Sequence, residues 1–196
     1  MSPGSAAVSL SLEAANDRES CRAQLERNRV AARELWAGRS DEILRRKPAP
    51  GAWSAVECLL HLNRAGTVYL PPIDRAIEDG RRRGLLGEGP YRHPWFSRWF
   101  VASLDAEVRR RFKAPRIFAP AEPDSADPAA VLREFEDLGA EVSRRLVASR
   151  GLDLGRVRVI SPVSPLVRLS LGMGFALFAA HERRHLAQAR RALEFA

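Results

Sequence analysis

The sequence predicts an all-α fold: a four-helix bundle with a helical insertion between the second and third main helices. Three observations carry this. Apolar residues recur at helical spacing through four long stretches. The later stretches open on helix-start signals: Ser54-Ala55-Val56-Glu57, Asp127-Pro128 and Ser164-Pro165. No convincing run of strands appears, and the alternation within 156–160 (Val157, Val159) is short and isolated. The 196 residues suit a single domain over 1–196, with 1–9 expected to form a flexible N-terminus.

The first helix is expected over about 10–36, where Leu12, Ala15, Cys21, Leu25, Val30, Ala31, Leu35 and Trp36 alternate with charged residues. Gly38 stops it, and Ser40-Asp41-Glu42 can start one short turn that Pro48 and Pro50 end. The second helix opens on a capping box, in which Ser54 and Glu57 each satisfy an orphan backbone N–H. Trp53 is placed to pack on Cys58 as the accompanying staple. Val56, Leu59, Leu60 and Ala65 form the apolar stripe. A bend is expected at Pro71-Pro72, then helix again through Asp79, with Gly80 beginning a loop. Within 81–127, Trp95, Phe96, Trp99, Phe100, Leu104, Val108 and Phe112 fit one helical face, with Pro94 at its start and Arg109–Arg111 at its end. These aromatics read first as ordinary core, with a dimer contact or a pocket wall as the other options. The prolines from Pro115 to Pro128 mark a loop. The third main helix follows Asp127-Pro128, carries Val131, Leu132, Phe135, Leu138, Val142 and Leu146, and ends near Gly151. The last helix is expected from Pro165; its middle, 169–180, is apolar all round and therefore buried, with Gly172 and Gly174 allowing a close neighbour.

Composition narrows the function. An apolar fraction of 45% and a charged fraction of 29% are those of an ordinary globular chain. The longest apolar stretch, 166–180, is broken by Arg168 and Ser170, so neither a membrane span nor a membrane partner is expected. The net charge of +8 invites a nucleic-acid partner. However, Lys47 and Lys113 are the only lysines, and the arginines spread along the chain apart from short clusters such as Arg81–Arg83. That pattern suits solvated helix faces and a GC-rich genome, so specific nucleic-acid binding is not expected. The first ten residues lack a basic start followed by an apolar run, so no signal peptide is expected. Cys21 and Cys58 are too few for a disulfide framework, and a cytoplasmic protein with reduced thiols is expected. Cys58, three residues before His61, reads as a small buried apolar residue rather than a member of a site.

The histidines carry the chemistry. His93, before a proline, reads as a surface residue or a helix cap. His181 and His185 are four apart, which on a helix puts both imidazoles on one face, about 6 Å apart along the axis. One ion can take both, and neutral imidazole is a common ligand for zinc, nickel, copper and iron. The pair follows directly on the apolar stretch, where two unpartnered imidazoles would be costly. His61 sits among apolar residues of the second helix. Whether the three converge is a tertiary question.

The stretch Pro50-Gly51-Ala52-Trp53-Ser54-Ala55-Val56-Glu57-Cys58-Leu59-Leu60-His61-Leu62 resembles the start of the second helix in the DinB/YfiT-like superfamily, which often reads P-x-G-x-W-S-x-x-E-x-x-x-H-L there. His181-Glu182-Arg183-Arg184-His185-Leu186-Ala187-Gln188 resembles that family's last helix, H-x-x-x-H-x-x-Q. The resemblance covers most of the helical scaffold and is weakest over 81–127. It implies a four-helix bundle with His61, His181 and His185 on one divalent metal, commonly zinc or nickel, and often a homodimer. Three protein ligands leave positions open, as in catalytic sites. Better-understood relatives are transferases and isomerases that use a low-molecular-weight thiol; others are read as hydrolases of small molecules. The implied chemistry is a thiolate or hydroxide, its pKa lowered by the metal, attacking an electrophile. No catalytic residue beyond the metal ligands is assigned.

Two residues are candidates to support the ligands. Glu57, one turn before His61, can accept its second N–H, although the capping box is its leading role. Gln188, near His185 on the last helix, can orient a ligand or bond across the bundle. Glu182 is expected in a surface or interhelical salt bridge. Two other functions remain open: a non-catalytic metal-binding or stress-response bundle, and a zinc peptidase of the H-E-x-x-H type with Glu182 as base. Against the peptidase, little chain follows the motif to supply a third ligand, and no sheet edge is expected to hold a peptide.

Overall fold

The structure, a computed structural model, describes residues 17–104, 116–119 and 125–195. Helix α1 (Arg18–Trp36) is capped by Asp17, whose carboxylate accepts from the backbone N–H of Glu19 and Ser20. The predicted turns before Asp17, with Leu12 and Ala15, lie outside the described residues. Helix α2 (Asp41–Arg45) is the expected short turn, capped by Ser40. Helix α3 (Ala55–Arg82) opens on the capping box with both of its hydrogen bonds made.

Helix α3 departs from the expectation at its end. It runs through Pro71-Pro72 and past Gly80, which lies inside the helix and not in a loop. The reason is packing: a Cβ at Gly80 would come within 2.7 Å of Val157 Cγ2. The helix stops at Arg83, and Gly84 then takes the positive φ of 62° that ends it.

The insertion after α3 holds helix α4 (Trp95–Leu104) and a 3₁₀ turn (Arg116–Phe118). The predicted continuation through Val108 to Phe112, with Arg109–Arg111, lies outside the described residues. The core role read for the aromatics of α4 is corrected for two of them: Trp95 and Trp99 are 77% and 60% exposed, while Ser97 is fully buried. Helical spacing of apolar residues marks a face but does not say which face packs.

Helix α5 (Pro128–Ala148) is capped by Asp127 as expected. The Trp36 indole N–H donates to Pro128 O at 2.9 Å, joining the end of α1 to the start of α5. The next element is a hairpin, where a loop with only short, isolated alternation is expected. Strand β1 (Arg158–Ile160) pairs antiparallel with β2 (Arg168–Ser170), with Val159 opposite Leu169. The alternation near Val157 and Val159 is therefore not isolated. Helix α6 (Leu171–Glu194) begins six residues after Pro165. Ser164-Pro165 belongs to the hairpin turn, where Ser164 O accepts from Val167 N at 3.0 Å and Leu166 is 91% exposed. A serine-proline pair starts turns as readily as helices.

Among the four main helices, α3 packs on both α5 and α6, and α1 packs on the same two. The first two main helices, α1 and α3, are thus diagonal in the bundle, which makes it a bundle with crossover connections. Two apolar clusters fill it. One gathers Leu70, Ile73 and Ile77 of α3 with Met173–Leu177 of α6 and the hairpin residues Val159 and Leu169. The other gathers Val56, Cys58, Leu59 and Leu62 of α3 with Leu186 and Ala189 of α6. On α6 the turn from His181 to His185 lies between the two clusters, and on α3 His61 lies between Leu59 and Leu62 of the second.

Candidate metal centre

His61, His181 and His185 come together between α3 and α6. Their candidate ligand nitrogens all lie within 4.8 Å of one another. Ring centroids are 5.0 Å apart for His61 and His181, 4.5 Å for His61 and His185, and 4.7 Å for His181 and His185. The local reasons are plain. The capping box fixes where α3 begins, and so the direction in which His61 points. The apolar stretch of α6 buries against α3 and brings the next turns, with His181 and His185, onto the same seam.

Hydrogen bonds orient two of the rings. His61 Nδ1 lies 2.7 Å from Phe118 O. A carbonyl only accepts, so this nitrogen carries the proton and Nε2 keeps its lone pair. His185 Nδ1 lies 3.1 Å from Gln188 Oε1, which leaves its Nε2 bare in the same way. His61 Nε2 stands 3.1 Å from His181 Nε2. Two nitrogens held ~2.05 Å from one tetrahedral ion lie about 3.3 Å apart, close to this separation.

The electrostatics point the same way. Burial pushes the pKa of His61 below its usual value, against the raising effect of the Phe118 carbonyl. Burial first, then the charges of His61 and Arg184, lower His181 to about 3. Burial, then His181, His61 and Arg184, lower His185 to about 2, although the bond to Gln188 opposes this. All three are neutral at pH 7, the state that binds a metal. Neutral donors, lone pairs turned inward and matching separations fit a divalent ion, and this three-histidine group could hold one.

Trp53 adds a wall that its expected role as a staple did not foresee. Its ring stacks on His185 at 5.8 Å and lies 4.9 Å from His61. Cys58 stays a fully buried thiol outside the group, its pKa raised mainly by burial.

Of the two supporting candidates, Gln188 reaches a histidine and Glu57 does not. Glu57 Oε2 accepts from Ser54 N and Oε1 from Lys47 Nζ, each at 2.8 Å, so its carboxylate is spent on the cap and a salt bridge. Phe118 O takes the place considered for it beside His61, and a backbone acceptor leaves no mark in a sequence. Glu182 is corrected too. It is 7% exposed and accepts from Asn28 Nδ2 of α1 at 2.9 Å, a buried interhelical hydrogen bond in place of a salt bridge. Burial raises its pKa to about 7 against the bond from Asn28 and the charge of Arg29. His93, neither a loose surface residue nor a cap, bonds Ser170 Oγ at 2.8 Å through Nδ1 and so ties the segment before α4 to the end of β2.

The model of one protein family, described as the DinB superfamily, matches residues 24–189. No curated protein and no solved structure matches the chain.

Proposed function

Because the chain belongs to the DinB superfamily, we propose that it is a divalent-metal-dependent enzyme acting on a small molecule, either a transferase that uses a low-molecular-weight thiol or a hydrolase. The observation that supports this is the convergence of three neutral imidazoles, of which His181 is only partly buried. His61, His181 and His185 are the proposed ligands, with zinc or nickel the metals of choice. When bound, such an ion supplies Lewis acidity, which lowers the pKa of a thiol or water and polarises an electrophile.

The chain's own residues then have defined tasks. Phe118 O and Gln188 Oε1 hold the Nδ1 protons of His61 and His185, so each ring presents Nε2 at a fixed angle. Trp53 covers one side of the two rings and keeps water from that side. Among the described residues no carboxylate joins the group. The proton released by a thiol or water therefore passes to solvent or to the leaving group. Glu182, the base that a zinc peptidase needs, is turned to Asn28, which leaves that alternative with little support.

The proposal extends to a cytoplasmic homodimer, for which the exposed indoles of Trp95 and Trp99 offer a contact. No helix of the described residues is long and apolar enough to cross a membrane. The test is turnover. Zinc- and nickel-loaded protein is assayed with small thiols and soluble electrophiles, and with small esters and amides, beside a His61→Ala variant. Turnover that needs both the metal and His61 is expected. Full metal occupancy with no turnover would favour a non-catalytic metal-binding protein.

A further inference from the structure

On the side of His61 that receives Phe118 O, three rings line up. Phe118 meets His61 edge-on at 6.4 Å. Tyr69 stacks on Phe118 at 5.8 Å with the planes 17° apart. Phe178 meets Tyr69 edge-on at 6.2 Å. The rings come from three separate segments. Tyr69 is eight residues past His61 on α3, and Phe178 stands three residues before His181 on α6. Phe118 is carried on the 3₁₀ turn, which α3 grips through two consecutive carbonyls: Arg64 Nε donates to Ile117 O at 3.1 Å, and His61 donates to Phe118 O.

Phe118, the ring next to His61, is buried at 7% exposure, while Tyr69 and Phe178 beyond it keep partial exposure, as does His181. None of the three rings carries a charge. The hydroxyl the rings themselves carry is that of Tyr69, 3.4 Å from Ser161 Oγ. Such a surface of rings meets a flat apolar group by stacking and edge contact.

We infer that Phe118, Tyr69 and Phe178 form the specificity wall of the three-histidine site, and that its substrate class is small molecules with an aromatic ring beside the reacting atom. The inference rests on the metal-dependent reading above. Phe178 is the residue to change, because it touches the wall without holding the 3₁₀ turn or a histidine.

The test uses full-length protein loaded with cobalt(II), whose visible absorption reports ligands entering its shell. Cobalt content is measured first. Protein that retains no cobalt overturns the metal reading, and this inference with it. Loaded protein is then titrated with imidazole and with 4-phenylimidazole, which offer a similar neutral nitrogen and differ by one phenyl ring. The phenyl compound is expected to bind about tenfold tighter. In Phe178→Ala, and in Phe178→Leu as the variant that keeps more of the volume, that preference is expected to fall toward unity at unchanged cobalt content. Equal affinities in the wild type, or a preference that survives both substitutions, would overturn the inference and leave the metal reading standing.

Discussion

Lowering the pH from 7 to 5 without metal is expected to destabilise the fold steeply, and the histidine cluster sets the size of the effect. In the unfolded chain each imidazole titrates near 6.5; in the fold, His181 and His185 titrate near 3 and 2, and His61 is also lowered. Between those values the unfolded chain binds protons that the folded chain does not, so stability is lost as pH falls below about 6.5. His181 and His185 contribute two protons to this difference and His61 up to one more. Glu182 works the other way. Its pKa rises from 4.5 to about 7, so across 4.5–7 the folded form holds a proton that the unfolded form has released. The net difference is one to two protons, or about 1.4–2.7 kcal/mol per pH unit. From pH 6.5 to 5.0 the loss is about 2–4 kcal/mol, a large part of a total stability of about 5–15 kcal/mol. The lowered carboxyls of Asp17, Asp79 and Glu141 start from 3.8–4.5 and act below this window. Denaturant unfolding of the metal-free protein at pH 7.0, 6.0 and 5.0 measures the slope. Glu182→Gln keeps an acceptor for Asn28 and removes the opposing proton, so it should steepen the slope by about 1.4 kcal/mol per pH unit. A flat stability between pH 7 and 5, or a slope unchanged in that variant, would refute the reasoning.

Three other outcomes are expected. Gly80→Ala should destabilise by about 1–3 kcal/mol in denaturant unfolding, because its Cβ meets Val157 Cγ2 at 2.7 Å; at an exposed helix position the same change would stabilise by about 1 kcal/mol. Gln188→Leu leaves the Nδ1–H of His185 without its acceptor and should weaken zinc binding by about 10–100-fold in a competition titration while the circular dichroism stays that of the wild type. Cys21 and Cys58 are fully buried, with thiol pKa values raised mainly by burial; a colorimetric thiol reagent at pH 8 should find neither in native protein and both in denaturant.

What was legible in the sequence was local. The capping box at Ser54 and Glu57 sits within four residues, and Asp127-Pro128 closes its own cap, so α3 and α5 start where expected. The pair His181 and His185 is readable for the same reason, since helical geometry alone puts both rings on one face. What was not legible depends on partners far along the chain. Arg158–Ile160 is a strand only because Arg168–Ser170 pairs with it, and Ser164-Pro165 reads as a helix start because its turn needs that pairing. Gly80 reads as a stop until Val157 is seen against it. Glu182 reads as one half of a surface or interhelical salt bridge because its actual partner, the neutral Asn28, lies on α1. The approach of His61 to the other two histidines follows from the packing of α3 on α6, which the family resemblance implied and periodicity did not.

The central claim is that His61, His181 and His185 hold one divalent ion together. Elemental analysis of untagged protein after reconstitution and dialysis, wild type beside His61→Ala, His185→Ala and a His93→Ala control, tests it most directly. About one zinc or nickel ion per chain is expected in the wild type and in the His93 variant, with loss from the other two. Metal-free wild-type protein, or full occupancy retained in His61→Ala, would contradict the account.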